Sequence, residues 1–314
     1  MHIPASVVGI TAGPREHEID ARWLMAYAAA LGETAPEYFD TARPGALLAH
    51  PLFPVCYEWP LALDVRARAL PDEIAVRSVH ATHHLTLHRR PRAGDRLSTS
   101  ATVAALQRRT PGAYLVLRMD TVDAAGRPVS TTDYGSLYLG VDCEGAPHPG
   151  PLPRGERESN TPTGERESNT PGGERESNFL SPQGRGQGEG WSWTVEMPIA
   201  PTLAHVYTEC ARIWNPIHTD RAVALGAGLP DIILHGTATL ALAISQALKQ
   251  QVSGPATPVR SVACRFGAMV RLPSRLVVRG RPPEPSPDGA VVRFEALADD
   301  GRPAVRDARI VLTP

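Results

Sequence analysis

Residues Tyr207–Asp220 read Y-T-E-C-A-R-I-W-N-P-I-H-T-D, and Gly228–Leu240 read G-L-P-D-I-I-L-H-G-T-A-T-L. Asn215-Pro216-Ile217-His218 puts a capping side chain, a rigid first-turn residue and an imidazole at a helix start. Seventeen residues after His218 comes His235-Gly236, opening the run T-A-T-L-A-L-A-I-S-Q-A-L-K-Q from Thr237 to Gln250. That run is apolar almost all round, as suits a helix enclosed by a sheet.

Working outward, the second half begins at Trp191 and repeats features of the first. Pro36 and Pro216 follow comparable helical stretches. Arg96-Leu97 and Arg275-Leu276 open similar strands. The turns D-A-A-G-R-P at 123–128 and A-D-D-G-R-P at 298–303 each lie between strands. Three pairs in one order, at near-constant separation, imply an internal duplication.

In the first half, residues 16–32 read as a short helix capped by Asp20, with Trp23, Leu24, Tyr27, Ala28 and Leu31 on one face and Gly32 as its stop. Pro36–Asp40 reads as a turn. A-H-P-L-F-P-V-C-Y-E-W-P at 49–60 reads as a proline-punctuated loop, and L-A-L-D-V-R-A-R-A-L at 61–70 as a helix. From Val79 the chain turns to short β-branched segments separated by Gly or Pro turns, ending with S-L-Y-L-G-V at 136–141. Helices beside consecutive antiparallel strands give an α+β pattern.

Between the halves, residues 147–190 break the pattern. G-E-R-E-S-N starts at Gly155, Gly164 and Gly173, every nine residues. The tract is polar and almost free of large apolar side chains, so it has nothing to offset its ordering entropy and reads as a disordered linker. A solenoid would need an apolar position in each repeat. The expected domains are therefore 1–146, the linker 147–190, and 191–314.

Bulk properties narrow the function. Across 314 residues the formal net charge is −1, so nothing points to a nucleic-acid partner or an acidic membrane surface. The four cysteines, Cys56, Cys143, Cys210 and Cys264, are scattered without a C-x-x-C pair. That predicts a reducing compartment and no zinc site. No apolar run has the roughly 20 residues of a membrane span, and the first ten residues lack the basic and apolar regions of a signal peptide. A soluble, cytoplasmic protein is expected. His80, His84 and His88 share one strand face, but positions four apart stand about 13 Å from each other, too far for one metal ion.

With Asn215, Pro216, His218 and His235-Gly236 in this order, the second half resembles the MaoC-like dehydratases, the (R)-specific enoyl-CoA hydratase group, whose signature is close to D-x-N-P-x-H followed by H-G. R-P-R-A-G-D-R-L at 90–97 is similar to the strand entry of the N-terminal domain in double-hotdog members. The resemblance implies two tandem hotdog domains, each a curved antiparallel sheet around a central helix. The first would be a non-catalytic, pocket-shaping partner and the second the catalytic domain. It implies an acyl-CoA thioester substrate, no cofactor beyond the CoA of the substrate, and pairing of two chains as a homodimer.

Hydration of a 2-enoyl thioester needs a base for water, a proton for the α-carbon and a donor for the thioester oxygen. His218 is the candidate base, since imidazole titrates near neutrality. Asn215 would position the water. The Gly236 N–H, at a helix start, would hold the oxygen as it gains negative charge. One departure matters: the family's Asp is Ile213 here. Glu209, four residues earlier and on the same face if the segment is helical, is the candidate surrogate acid. Asp220 reads as a helix-start acid. Two alternatives follow from the departure, a hotdog acyl-CoA thioesterase and a non-catalytic acyl-CoA-binding subunit.

Overall fold

The computed structural model describes residues 1–42, 47–144, 190–251 and 256–313. The expected linker therefore falls almost wholly outside the described residues. In the first half the strands are β1 (His2–Ile3), β2 (Thr11–Glu18), β3 (Ser78–Leu87), β4 (Arg96–Arg109), β5 (Gly112–Asp123), β6 (Pro128–Leu139) and β7 (Asp142–Cys143). Its helices are α1 (Ala21–Ala30), α2 (Pro54–Ala69) and the single turn α3 (Asp72–Ala75). The second half has β8 (Trp193–Ile199), α4 (Leu203–Ala211), α5 (Arg221–Gly226), α6 (Gly236–Gln251), β9 (Val259–Phe266), β10 (Ser274–Gly280), β11 (Glu284–Ser286), β12 (Gly289–Leu297) and β13 (Pro303–Leu312).

One large sheet runs β2-β4-β5-β6-β3-β9-β13-β12-β10-β8, with β11 added beside β12. Read from its two edges inward, the order is the same: first strand, third, fourth, fifth, second. The duplication expected from the sequence is thus a duplication of topology. The halves meet where β3 pairs antiparallel with β9, from Thr82 opposite Arg265 to Thr86 opposite Ser261. This is the α+β, two-hotdog architecture, each half a curved antiparallel sheet carrying a central helix. Tyr27 of α1 and Tyr207 of α4 touch across the join, their hydroxyls 3.4 Å apart.

Helix α6 is nearly enclosed. Ala238, Leu240 to Ile244, Ala247 and Leu248 are all buried, and it packs on β10, β12 and β13. Each fully buried leucine contributes about 1.5–3 kcal/mol of transfer free energy, so a helix without a polar face is held by what surrounds it. It starts one residue before the expected Thr237 and ends one residue after Gln250.

Two local expectations need correction. Residues 16–18 are the end of β2, not a helix start; the helix begins at Ala21, where the Trp23 amide donates to Asp20 Oδ1 at 2.7 Å. Strand β2 (T-A-G-P-R-E-H-E) has no alternating apolar pattern and is set by its pairing with β4. Helix α2 starts at Pro54, inside the stretch read as loop. Proline is tolerated in a first helical turn, where its missing N–H has no intrahelical role. Pro60 is carried in the interior of α2. No helix among the described residues is long and apolar enough to cross a membrane.

Candidate active site

The second half assembles its polar groups around the start of α6. Asn215 caps a 3-10 turn, Pro216–His218, its Oδ1 accepting from the Ile217 amide at 3.4 Å. That turn delivers His218, whose Nδ1 lies 2.8 Å from the Ile233 carbonyl oxygen. A carbonyl only accepts, so Nδ1 carries the proton and Nε2 keeps its lone pair. The His218 ring stacks on His235, centroids 3.7 Å apart and planes 27° from parallel. His235 is 2% exposed, and its Nε2 meets Thr208 Oγ1 at 3.1 Å. His235 Nδ1 has no partner in hydrogen-bond geometry.

Burial sets the charge of both rings. Loss of water lowers the His218 pKa to about 4, opposed by the Ile233 carbonyl. Burial, with His218 beside it, holds His235 well below the ordinary histidine range. Both are neutral at pH 7, and a neutral His218 has the lone pair that a general base needs.

Gly236 is the first residue of α6, so its N–H belongs to the free first-turn amides at the positive end of the helix. A Cβ on Gly236 would come within 3.3 Å of the Phe266 ring. The glycine therefore keeps open the approach to that amide.

His218, Asn215, Gly236 and Ile213 all line one cavity of about 1630 Å³. The first half contributes to the same wall, with Glu58, Trp59 and Arg66 of α2, His80 and His83 of β3, and Tyr134 of β6. A register shift between His80 and Thr82 bulges β3, which lets His80 and His83 both reach the cavity although an odd number of positions separates them. The His80, His84, His88 face read from strand alternation is broken at that bulge. Among the described residues no three His, Cys, Asp or Glu side chains gather in a way that could hold a metal ion.

Glu209 is not brought to the site. Helix α4 ends at Ala211, and Arg212 takes a left-handed conformation at φ 58°, so Ile213 leaves the helix and no longer shares a face with Glu209. Glu209 is exposed and lies outside the cavity wall, whereas Ile213 is 4% exposed and within it. Asp220 caps α5, accepting from the Ala222 and Val223 amides at 2.9 and 3.2 Å. Two residues at the site were not singled out by their chemistry in the sequence. Thr208 had no signal, and His235 was visible only as part of H-G.

The corresponding place in the first half cannot do the same work. Tyr38 ends the 3-10 turn Pro36–Tyr38, where His218 ends its own. Pro54 starts α2 where Gly236 starts α6, and a proline has no N–H to donate.

The two halves match two different family models. Residues 6–132 match a family model described as FAS1-like, dehydratase domain region, and residues 187–282 match one described as MaoC like domain. An enoyl-CoA hydratase of Mycobacterium tuberculosis, ChsH3, is 35% identical over 75 residues, 24% of this chain and 26% of that protein. The chain thus spans about a quarter of the length of that relative. Protein SCO4636 of Streptomyces coelicolor is 27% identical over 138 residues, 42% of this chain and 91% of that one. Among solved structures, a MaoC-like dehydratase from Phytophthora capsici superposes with a TM-score of 0.73 at 19% identity, covering 97% of this chain and 95% of the other. A Mycobacterium tuberculosis protein described as having a double hotdog fold gives 0.59 at 18% identity, covering 98% and 96%. The second half thus carries a MaoC-like domain match, and the chain as a whole has the double-hotdog fold of these structures.

Proposed function

We propose that the protein adds water to a 2-enoyl-CoA thioester, or removes it from the 3-hydroxyacyl-CoA, with His218 as the group that handles the proton. The observation that carries this reading is the Nδ1 contact of His218 with the Ile233 carbonyl, which leaves Nε2 with a free lone pair on a residue that lines the same cavity as Gly236. In the hydration direction Nε2 takes a proton from water while the water oxygen bonds to the β-carbon. The thioester oxygen gains negative charge and is held by the Gly236 N–H. The α-carbon then takes a proton and the enolate collapses.

Ile213 cannot carry that second proton, and Glu209 lies outside the cavity. The imidazolium formed on His218 is then the donor, so one group takes and returns the proton. Asn215, whose Oδ1 is engaged with the Ile217 amide, holds the turn and offers its remaining donors to the water. CoA enters only as part of the substrate.

A second reading is favoured by Ile213 itself: an acyl-CoA-binding protein on a dehydratase scaffold that lost its acid. The test is the ultraviolet absorbance of conjugated enoyl thioesters, followed together with free thiol, for the native protein, His218→Ala and Ile213→Asp. Hydration removes absorbance without releasing thiol, and His218→Ala abolishes it. Thiol release would instead mean a thioesterase. Native protein that binds substrate without turnover, with activity gained in Ile213→Asp, would establish the binding reading.

A further inference from the structure

The imidazole of His218 and the amide of Gly236 come from separate segments, so their spacing is set by whatever touches both. The peptide between His235 and Gly236 is fixed from within α6. The His235 carbonyl accepts from the Thr239 amide at 3.0 Å and from Thr239 Oγ1 at 3.1 Å, so it points into the helix. That peptide is trans, and in a trans peptide the N–H points opposite to the C=O. The Gly236 N–H is therefore aimed out of the helix start.

The His235 side chain is held from two further sides. Its Nε2 meets Thr208 Oγ1 at 3.1 Å, and its ring face lies on His218, centroids 3.7 Å apart. Thr208 also accepts, at its carbonyl, from the Ile213 amide at 3.1 Å, and Ile213 starts the loop that leads through Asn215 to His218. One residue of α4 thus holds both parts of the site. Its hydroxyl holds the segment that carries the donor, and its backbone holds the segment that carries the base. The neighbours of His235 have their own ties. The Leu234 amide donates to the Val270 carbonyl at 2.8 Å, and the Tyr207 hydroxyl donates to Thr237 Oγ1 at 3.1 Å. Residues 234–237 therefore stay docked when the bond at His235 is lost.

An imidazole is a costly way to fill this place. Thr208 is 4% exposed and His235 2%, and His235 Nδ1 is buried without a partner in hydrogen-bond geometry. Such atoms are rare in folded proteins, and each calls for an explanation. A leucine would fill the volume and leave no polar atom unmet. The ring supplies two things that a leucine does not, a nitrogen for Thr208 and a flat face for His218.

We infer that Thr208 and His235 are positioning residues, which set the spacing and direction of the His218 base and the Gly236 donor. Thr208 lies outside the cavity wall, so it acts through these groups and not on the substrate. The inference rests on reading His218 as the base.

The test measures kcat and KM separately for hydration of a 2-enoyl-CoA by the native protein, His218→Ala, Thr208→Val, Thr208→Ser, His235→Phe and the Thr208→Val/His235→Phe double variant. The ring-nitrogen NMR shifts of His218 are recorded alongside. Thr208→Val keeps the shape and loses the hydroxyl. It is expected to lower kcat about tenfold with KM within about twofold, and Thr208→Ser to recover most of the loss. His235→Phe keeps a flat face and loses the nitrogen, so it should match Thr208→Val. The double variant should be no worse than either single change, because both break one link. The native His218 ring is expected as the Nδ1–H tautomer alone, and the Thr208→Val ring as a mixture of both. Thr208→Ala carries the test if Thr208→Val does not fold. A kcat within twofold in Thr208→Val, a loss that Thr208→Ser does not recover, or an unchanged His218 ring overturns the inference. So does a fall carried by KM, which would place Thr208 in substrate binding. Turnover that survives His218→Ala, or no native turnover at all, defeats the base reading, and the inference with it.

Discussion

Helices α2 and α6 are both 16 residues long and occupy the same place in the duplicated topology, yet they meet one cavity differently. Helix α6 is apolar around nearly its whole circumference and touches the cavity only at its first turn, through Gly236, Thr237 and Thr239. Helix α2 lines the cavity along its length, through Val55, Glu58, Trp59, Ala62 and Arg66. The first begins with a glycine whose amide is free, the second with a proline that has none. Duplication supplied two equivalent frameworks. Side-chain replacement at matched positions has left a free first-turn amide in one and a polar, cavity-lining face in the other.

The sharpest way to break this comparison is to remove the imidazole and its first-half counterpart separately. His218→Ala is expected to lower kcat by ~10²–10⁴-fold, the usual worth of a positioned general base. Tyr38→Phe is expected to stay within about twofold, since Tyr38 lies outside the cavity wall. Comparable losses in both would mean that the first half also carries chemistry. Next in size is Gly236→Ala, which sets a methyl against the Phe266 ring. Displacing substrate from the amide by such a distance is expected to cost about 10²-fold in kcat/KM, and Pro54→Ala in α2 should change it little.

The smaller effects concern proton linkage. Burial lowers His17 and His218 to about 4 and His50 and His83 to about 3, from an ordinary 6.5. Between pH 6.5 and those values the unfolded chain binds more protons than the folded one, so stability falls as pH drops through that window. Melting temperature should decline steadily below pH 6.5, and His83→Asn should flatten part of the decline. Glu58 has the opposite sign. Its folded pKa of about 8 against 4.5 means the folded state holds a proton that the unfolded state releases above 4.5, so stability is lost as pH rises toward 8. Glu58→Gln, which keeps the neutral shape, should melt a few degrees higher than the native protein at pH 8 and match it at pH 4. A melting curve indifferent to Glu58 at pH 8 would show that the carboxyl is solvated.

Much of this arrangement is legible in the sequence. Asn215-Pro216 and His218 follow from capping chemistry and spacing, and the enclosed helix after Gly236 follows from its lack of a polar face. The G-R-P turns at matched separation announce the repeated topology. Other features depend on tertiary context. Strand β2 carries Gly, Pro and four charged or imidazole side chains, and is a strand only because β4 pairs with it. Helix α2 begins among prolines that usually mark loops. The Glu209 expectation failed at Arg212, whose left-handed backbone is uncommon for a residue with a Cβ and cannot be foreseen from local pattern. Arg66 reads as one more arginine on a short helix. Only the structure shows that it lines the cavity.

The measurement that tests the division of labour most directly is kcat/KM for the native protein, His218→Ala, Tyr38→Phe and the double variant, with a 2-enoyl-CoA as substrate. The account predicts that His218→Ala lowers it by a large factor through kcat, that Tyr38→Phe stays within about twofold, and that the double variant matches His218→Ala. Full turnover in His218→Ala, or a comparable loss in Tyr38→Phe, would contradict it.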